Sequence, residues 1–278
     1  MGNLAEDTTV EAADRPGWYT ARLSRDWEIW GPMGGYVAAI ALRAAGAESP
    51  FARPASLQCH YLGVAAFDEV QLEVVSLRAG RQAASHRVSM RQGDRAILEA
   101  MVWSVADDAP GLVHDEGVPP DVPDWSALPD VAELAGPDAP PPFPFWLNFE
   151  HRPLQWRADW PPPGPLPAVW QSWLRFLAWD AAADPWLDAA RTTLLVDLPS
   201  WPSGSKPHAW TEPKFTAPTL DLSVAFHRIA PEEPWLLLEG TSPVAEDALM
   251  GWTGRVWTPS GRLVASGGGQ TFFRPLPG

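Results

Sequence analysis

The chain has 278 residues, 46% of them hydrophobic, with a formal net charge of −14 and one cysteine. That length allows one large core or two of about 140 residues each. The acidic balance disfavours nucleic acid as a partner, and a lone Cys59 excludes an internal disulfide and fits a reducing compartment.

Residues 1–17 are acidic and weakly patterned, which predicts a loose start. They lack the basic start and apolar run of a signal peptide. No stretch reaches the roughly 20 apolar residues of a membrane span. The expectation is a cytoplasmic protein with no membrane contact.

A first strand is predicted over 18–23, followed by a helix over 31–46. Pro32 and the Gly34-Gly35 pair mark the helix entry, and Gly46 stands where a C-terminal stop belongs. Val37, Ile40, Ala41 and Ala44 make one stripe, and the other faces are apolar too. A helix apolar all round is buried all round, so a curved antiparallel sheet is expected to wrap it. Strands follow over 56–62 and 70–77, then a hairpin over 83–105 that turns at Gln92-Gly93-Asp94. Arg78, Arg81, Arg87, Arg91 and Arg95 read as a solvated strand face; the sharper alternative is a phosphate-contacting patch.

Between 107 and 147 the composition turns to Pro, Asp and Ala, with Pro140-Pro141-Pro142 near the end. This reads as a linker or covering loop between an N-terminal unit (1–106) and a C-terminal unit (148–278). The second unit repeats the first: strands over 149–157 and 168–176, then a helix capped by Asp184-Pro185 with Leu187, Ala190 and Leu194 as its stripe. Strands over 220–229, 235–240, 250–257 and 263–273 follow. Arg87-Val88 matches Arg255-Val256, and Ser56-Leu57-Gln58 stands where Thr219-Leu220-Asp221 stands. Their shared order points to a duplicated unit whose two sheets join into one. Most of the 17 tryptophans, Trp146, Trp156, Trp160, Trp170, Trp173, Trp179 and Trp186 among them, are expected to pack against the sheet.

No nucleophile elbow, histidine metal motif, P-loop or dinucleotide fingerprint occurs. Hydrolysis by activated water remains open to such a chain. Asp197 ends the second helix among apolar neighbours, facing the negative end of its own helix dipole. Burial and that dipole both raise its pKa towards the range of a general base; the plain alternative is a solvent-facing helix-end carboxylate. Thr219 enters a strand, where threonine usually serves β-propensity. Gln270 interrupts an apolar strand end, where an amide is usually exposed or bonded to backbone.

These residues resemble a known family. Gly34-Gly35 at the helix entry, Ser56-Leu57-Gln58-Cys59-His60-Tyr61-Leu62, Thr219-Leu220-Asp221 with Phe226-His227-Arg228, and Leu263-Val264-Ala265-Ser266 with Gln270 are similar to the acyl-CoA thioesterase II family. The resemblance covers all but about 107–147. It implies an α+β double hotdog, two helix-wrapping antiparallel sheets in one continuous sheet. It implies hydrolysis of acyl-CoA by a water held by Asp197, Thr219 and Gln270, with no metal and no cofactor. Gly34, Gly35, Tyr36 and His60 would bind substrate, with backbone N–H groups near Gly35-Tyr36 as oxyanion donors. Tyr36 departs from the family, which commonly has Gln after the glycine pair. Hotdog sheets often pair edge to edge, so a homodimer is expected. The competing reading is a hotdog that binds an acyl or other hydrophobic ligand without turnover. A dehydratase would want a histidine on the active helix, and neither helix has one.

Overall fold

The computed structural model describes residues 1–107, 110–139, 143–159, 161–180, 184–209 and 215–275; Pro140, Pro141, Pro142 and Trp160 lie outside them. Helix α1 spans Gly34–Glu48. Ala38, Ala39, Ile40, Ala41, Leu42, Ala44 and Ala45 have no exposed surface, as its all-round apolar sequence requires. It runs through Gly46 rather than stopping there. A Cβ on Gly46 would lie 2.6 Å from the Trp186 ring, so this glycine serves helix packing. Helix α2 spans Pro185–Asp197, and the Asp184 side chain caps its first turn by accepting from the Trp186 N–H at 2.9 Å. The two helices run antiparallel in contact. Trp186 meets the end of α1, Leu194 meets Gly35 at its start, and Arg43 pairs with Asp184. A short helix α3, Ser200–Ser205, follows α2 closely. Among the described residues, no helix is long and apolar enough to cross a membrane.

Both helices lie on one face of a twelve-stranded sheet. The N-terminal half supplies a two-residue strand, Glu11–Ala12, then β1 (Trp18–Arg22), β2 (Arg53–Tyr61), β3 (Glu69–Ala79), β4 (Ala83–Gln92) and β5 (Arg95–Val105). The C-terminal half supplies β6 (Phe149–Pro153), β7 (Val169–Phe176), β8 (Thr219–Phe226), β9 (Trp235–Glu246), β10 (Leu249–Trp257) and β11 (Leu263–Phe272). From the short strand inward the order is β1-β3-β4-β5-β2, and then outward β8-β11-β10-β9-β7-β6. The second run mirrors the first, with β2 and β8 paired at the centre. Each half places its helix between its outer strand and its central strand, so the duplication is a property of the fold.

Arg87-Val88 and Arg255-Val256 fall on the equivalent strands β4 and β10. The other match slips. Both central strands carry a bulge, between Pro54 and Ser56 in β2 and between Thr219 and Asp221 in β8. Aligning the bulges sets Ser56 on Asp221, two residues later than the sequence match.

The face of the sheet away from the helices differs between the halves. In the first, Arg78 and Arg87 stand on it exposed, and Arg81, Arg91 and Arg95 are exposed at the strand ends and the turn. In the second, Trp173, Trp235, Leu237 and Trp257 form a separate apolar cluster. Residues 122–128 cover it: Val122 and Leu128 pack against it, Trp125 stacks on Trp235 at 4.8 Å, and the Trp173 indole donates to the Pro123 carbonyl at 3.0 Å. This cover accounts for part of the tryptophan excess.

The start of the chain is not loose. Leu4 is buried, Asn3 caps a short helix, Leu4–Asp7, and the Gly2 N–H donates to Asn148 Oδ1 at 2.7 Å. One buried leucine and a set of well-paired polar groups anchor a segment whose composition alone looks unstructured.

Candidate active site

Antiparallel packing brings the C-terminus of α2 to the N-terminus of α1. There the Gly35 N–H donates to Asp197 Oδ2 at 2.7 Å. The first N–H groups of a helix have no intrahelical acceptor, and they carry the positive end of the dipole. Asp197 uses one of them. It is only 4% exposed, and its Oδ1 is buried with no hydrogen-bond partner. Burial pushes the carboxyl up to about 6; the Gly35 N–H and the Thr219 side chain counter that rise.

Two glycines make this approach possible. A Cβ on Gly35 would lie 2.8 Å from the Leu194 Cα, and one on Gly34 would lie 2.9 Å from Asp197 Oδ2 and 3.4 Å from the Tyr61 hydroxyl. Gly34 therefore leaves open the space between carboxylate and phenol. The Tyr61 hydroxyl is buried without a hydrogen-bond partner. Burial, with Cys59 and Asp197 nearby, holds it well above the usual phenol pKa, so it is a neutral donor. Cys59 beside it is buried, and burial pushes its thiol up to about 12.

The bulge in β8 decides which strand residues join the site. Thr219 lies opposite Thr271 on β11, but Asp221 lies opposite Gln270, two steps on one strand against one on the other. Paired residues share a face, so Thr219 and Thr271 turn one way and Asp221 and Gln270 the other. Thr271 is 1% exposed, with its hydroxyl buried and unpartnered; Gln270 is exposed, and its backbone N–H donates to Asp221 Oδ1 at 3.2 Å. His60 lies opposite Asp221 and is exposed too, because Cys59 and Tyr61 take the inward positions of β2.

Among the expected residues, the structure thus brings together Asp197, Thr219, Gly34 and Gly35. It sets Gln270 and His60 on the opposite face of the sheet. The Tyr36 ring also points elsewhere. It is fully buried, stacks on Trp27 at 5.4 Å, accepts from the Ser24 N–H at 3.1 Å and donates to the Asp7 carbonyl at 2.9 Å. The contacts of this ring, to Trp27, Ser24 and Asp7, are structural ones. Its backbone N–H, next after that of Gly35, precedes the first intrahelical bond, from Val37 N–H to the Met33 carbonyl.

The structure adds two buried, unpartnered hydroxyls that the sequence reading does not single out, those of Tyr61 and Thr271. The alternation of 59 and 61 in β2 could have found Tyr61; no sequence signal announced the bulge that brings in Thr271. Among the described residues, no group of three or more His, Cys, Asp or Glu side chains is placed to hold a metal ion.

A model of the acyl-CoA thioesterase N-terminal domain matches residues 23–105, and a model of the acyl-CoA thioesterase C-terminal domain matches residues 114–268. The chain belongs to the acyl-CoA thioesterase family. It is a thioester hydrolase. No curated protein matches the sequence. Among solved structures, this thioesterase is similar to the tesB protein of Mycobacterium avium subs paratuberculosis and to the acyl-CoA thioesterase II TesB2 from Mycobacterium marinum. Each has a TM-score of 0.79 at 21% identity, covering 98% of both chains. A hot dog fold protein of unknown function from Alicyclobacillus acidocaldarius is as similar in shape, with a TM-score of 0.79 at 20% identity over 99% of this chain and 98% of that one. At these identities the shared property is the fold, a double hotdog.

Proposed function

We infer that this thioesterase hydrolyses acyl-CoA with a water held against Asp197 Oδ1. The carrying observation is a buried carboxylate with one oxygen tied to the Gly35 N–H and the other left without a partner. Its raised pKa suits a base that takes a proton near neutral pH. Thr219 and its strand partner Thr271 orient the water, taking the place expected for Gln270.

In the reaction, the water oxygen attacks the thioester carbonyl carbon while Asp197 takes its proton. The carbonyl becomes an oxyanion, stabilised by the Tyr61 hydroxyl and the Tyr36 backbone N–H. Collapse of that intermediate breaks the C–S bond, and the departing thiolate takes the proton from Asp197. Acid and CoA leave.

The test is thiol release from acyl-CoAs of several chain lengths, followed with a thiol reagent. Asp197→Asn is expected to lower kcat by about 10²–10⁴-fold, the range for a lost general base. Equal turnover by parent and variant overturns the assignment.

A further inference from the structure

A groove of about 550 Å³ lies on the helix-bearing side of the C-terminal half, between the β6–β7 edge and α3. Asp197 is not among the residues that line it. The volume is that of a small-molecule site. Its walls are apolar and aromatic, with Trp156, Trp170, Leu166 and Pro202 among them.

Three of its polar side chains, His151, Arg157 and Lys206, can offer donors to a ligand. His151 stacks on Trp146 with ring centres 5.0 Å apart, and its Nε2 is buried with no hydrogen-bond partner. Burial pushes this imidazole down to about 4, so it is neutral at neutral pH and can donate from Nε2. Arg157 Nε is likewise buried and unpartnered, while the far end of that guanidinium pairs with Asp159. Lys206 Nζ donates to the Val169 carbonyl at 2.6 Å and to Gln155 Oε1, using two of the three donors of an ammonium. No carboxylate stands among the described lining residues. Unpaired buried donors carry a standing cost that an acceptor relieves, and a carboxylate offers about four acceptor sites.

We propose that this groove binds an amphipathic monocarboxylate, its apolar body between Trp156 and Trp170 and its head group on Lys206, His151 Nε2 and Arg157 Nε. The site is independent of turnover at Asp197. Two rings and a cation select such a ligand over a neutral or cationic one of the same length.

The experiment titrates decanoate and decylamine into the whole protein by calorimetry and tryptophan fluorescence. Decanoate is expected to bind once per chain, and decylamine at least about tenfold more weakly, as loss of a charge-assisted contact implies. Lys206→Met should weaken decanoate about tenfold. His151→Phe, which keeps the ring on Trp146, should weaken it by about threefold or more. Trp156→Ala, at a half-exposed position, should lower affinity with the melting temperature unchanged. Asp197→Asn should bind decanoate as tightly as the parent. The proposal is overturned by absence of binding, by equal affinity for the amine, by full affinity in Lys206→Met, or by loss of binding in Asp197→Asn.

Discussion

The Gly35 amide and the Asp197 carboxylate, 162 residues apart in the chain, meet at 2.7 Å. This bond joins the positive end of one half's helix to the last residue of the other's. A helix C-terminus is by itself a poor place for a carboxylate. The amide makes it tenable, and the remaining desolvation keeps its pKa near the working range of a base.

Turnover should follow the ionisation of Asp197. Its carboxyl is raised to about 6, chiefly by burial. Only the carboxylate can take a proton from water. The expected kcat profile falls about tenfold per pH unit below about 6 and is flat above it, measured with one acyl-CoA across pH 4.5–8. A rate already at its plateau at pH 4.5 would separate Asp197 from the chemistry.

The same shift is a stability cost. Between the ordinary 3.8 and about 6 the folded protein holds a proton that the unfolded chain has lost. Stability therefore falls as pH rises through that window and stays lowered above it. Two pKa units correspond to about 3 kcal/mol, an upper bound for what the charge costs at neutral pH. Asp197→Asn removes the titration. It should melt higher than the parent at pH 8, with the gap shrinking towards pH 4 in calorimetric scans.

The bulge in β8 sets a contrast between two adjacent residues. Thr271→Val keeps shape and removes a buried, unpartnered hydroxyl; it should lower kcat about tenfold or more with stability unchanged or raised. Tyr61→Phe should act in the same sense, by about 10²-fold for one lost oxyanion donor. Gln270→Ala and His60→Ala, on the exposed face, should leave kcat within about twofold and stability within about 0.5 kcal/mol. The set is read by thiol release and thermal melts side by side; a Gln270→Ala collapse in kcat would restore the family pattern.

Tyr36→Phe should cost stability rather than chemistry. It leaves the Ser24 N–H and the Asp7 carbonyl without their partner, a loss of about 1–3 kcal/mol. The expected result is a lower urea midpoint with kcat per folded molecule unchanged.

Much of this molecule is readable along the chain because it depends on local periodicity. A run in which Arg43 is the only charged residue between Tyr36 and Ala45 reads as a buried helix, and the Asp184-Pro185 cap announces α2 before any contact is known. The hairpin turn at Gln92-Gly93-Asp94 announces β4 and β5, and the recurrence of Arg-Val on equivalent strands announces a repeated sheet. Asp197 stood out because a carboxylate among leucines at a helix end is locally anomalous. What periodicity cannot supply is the face onto which a residue turns when a strand carries a bulge. One extra residue at Leu220 reverses the phase between β8 and β11, which brings in Thr271 and turns out Gln270. Nor can it tell a stop glycine from one that admits a neighbouring ring, as Gly46 admits Trp186. Those choices belong to the packing of one half against the other, and they exist only once both halves are folded together.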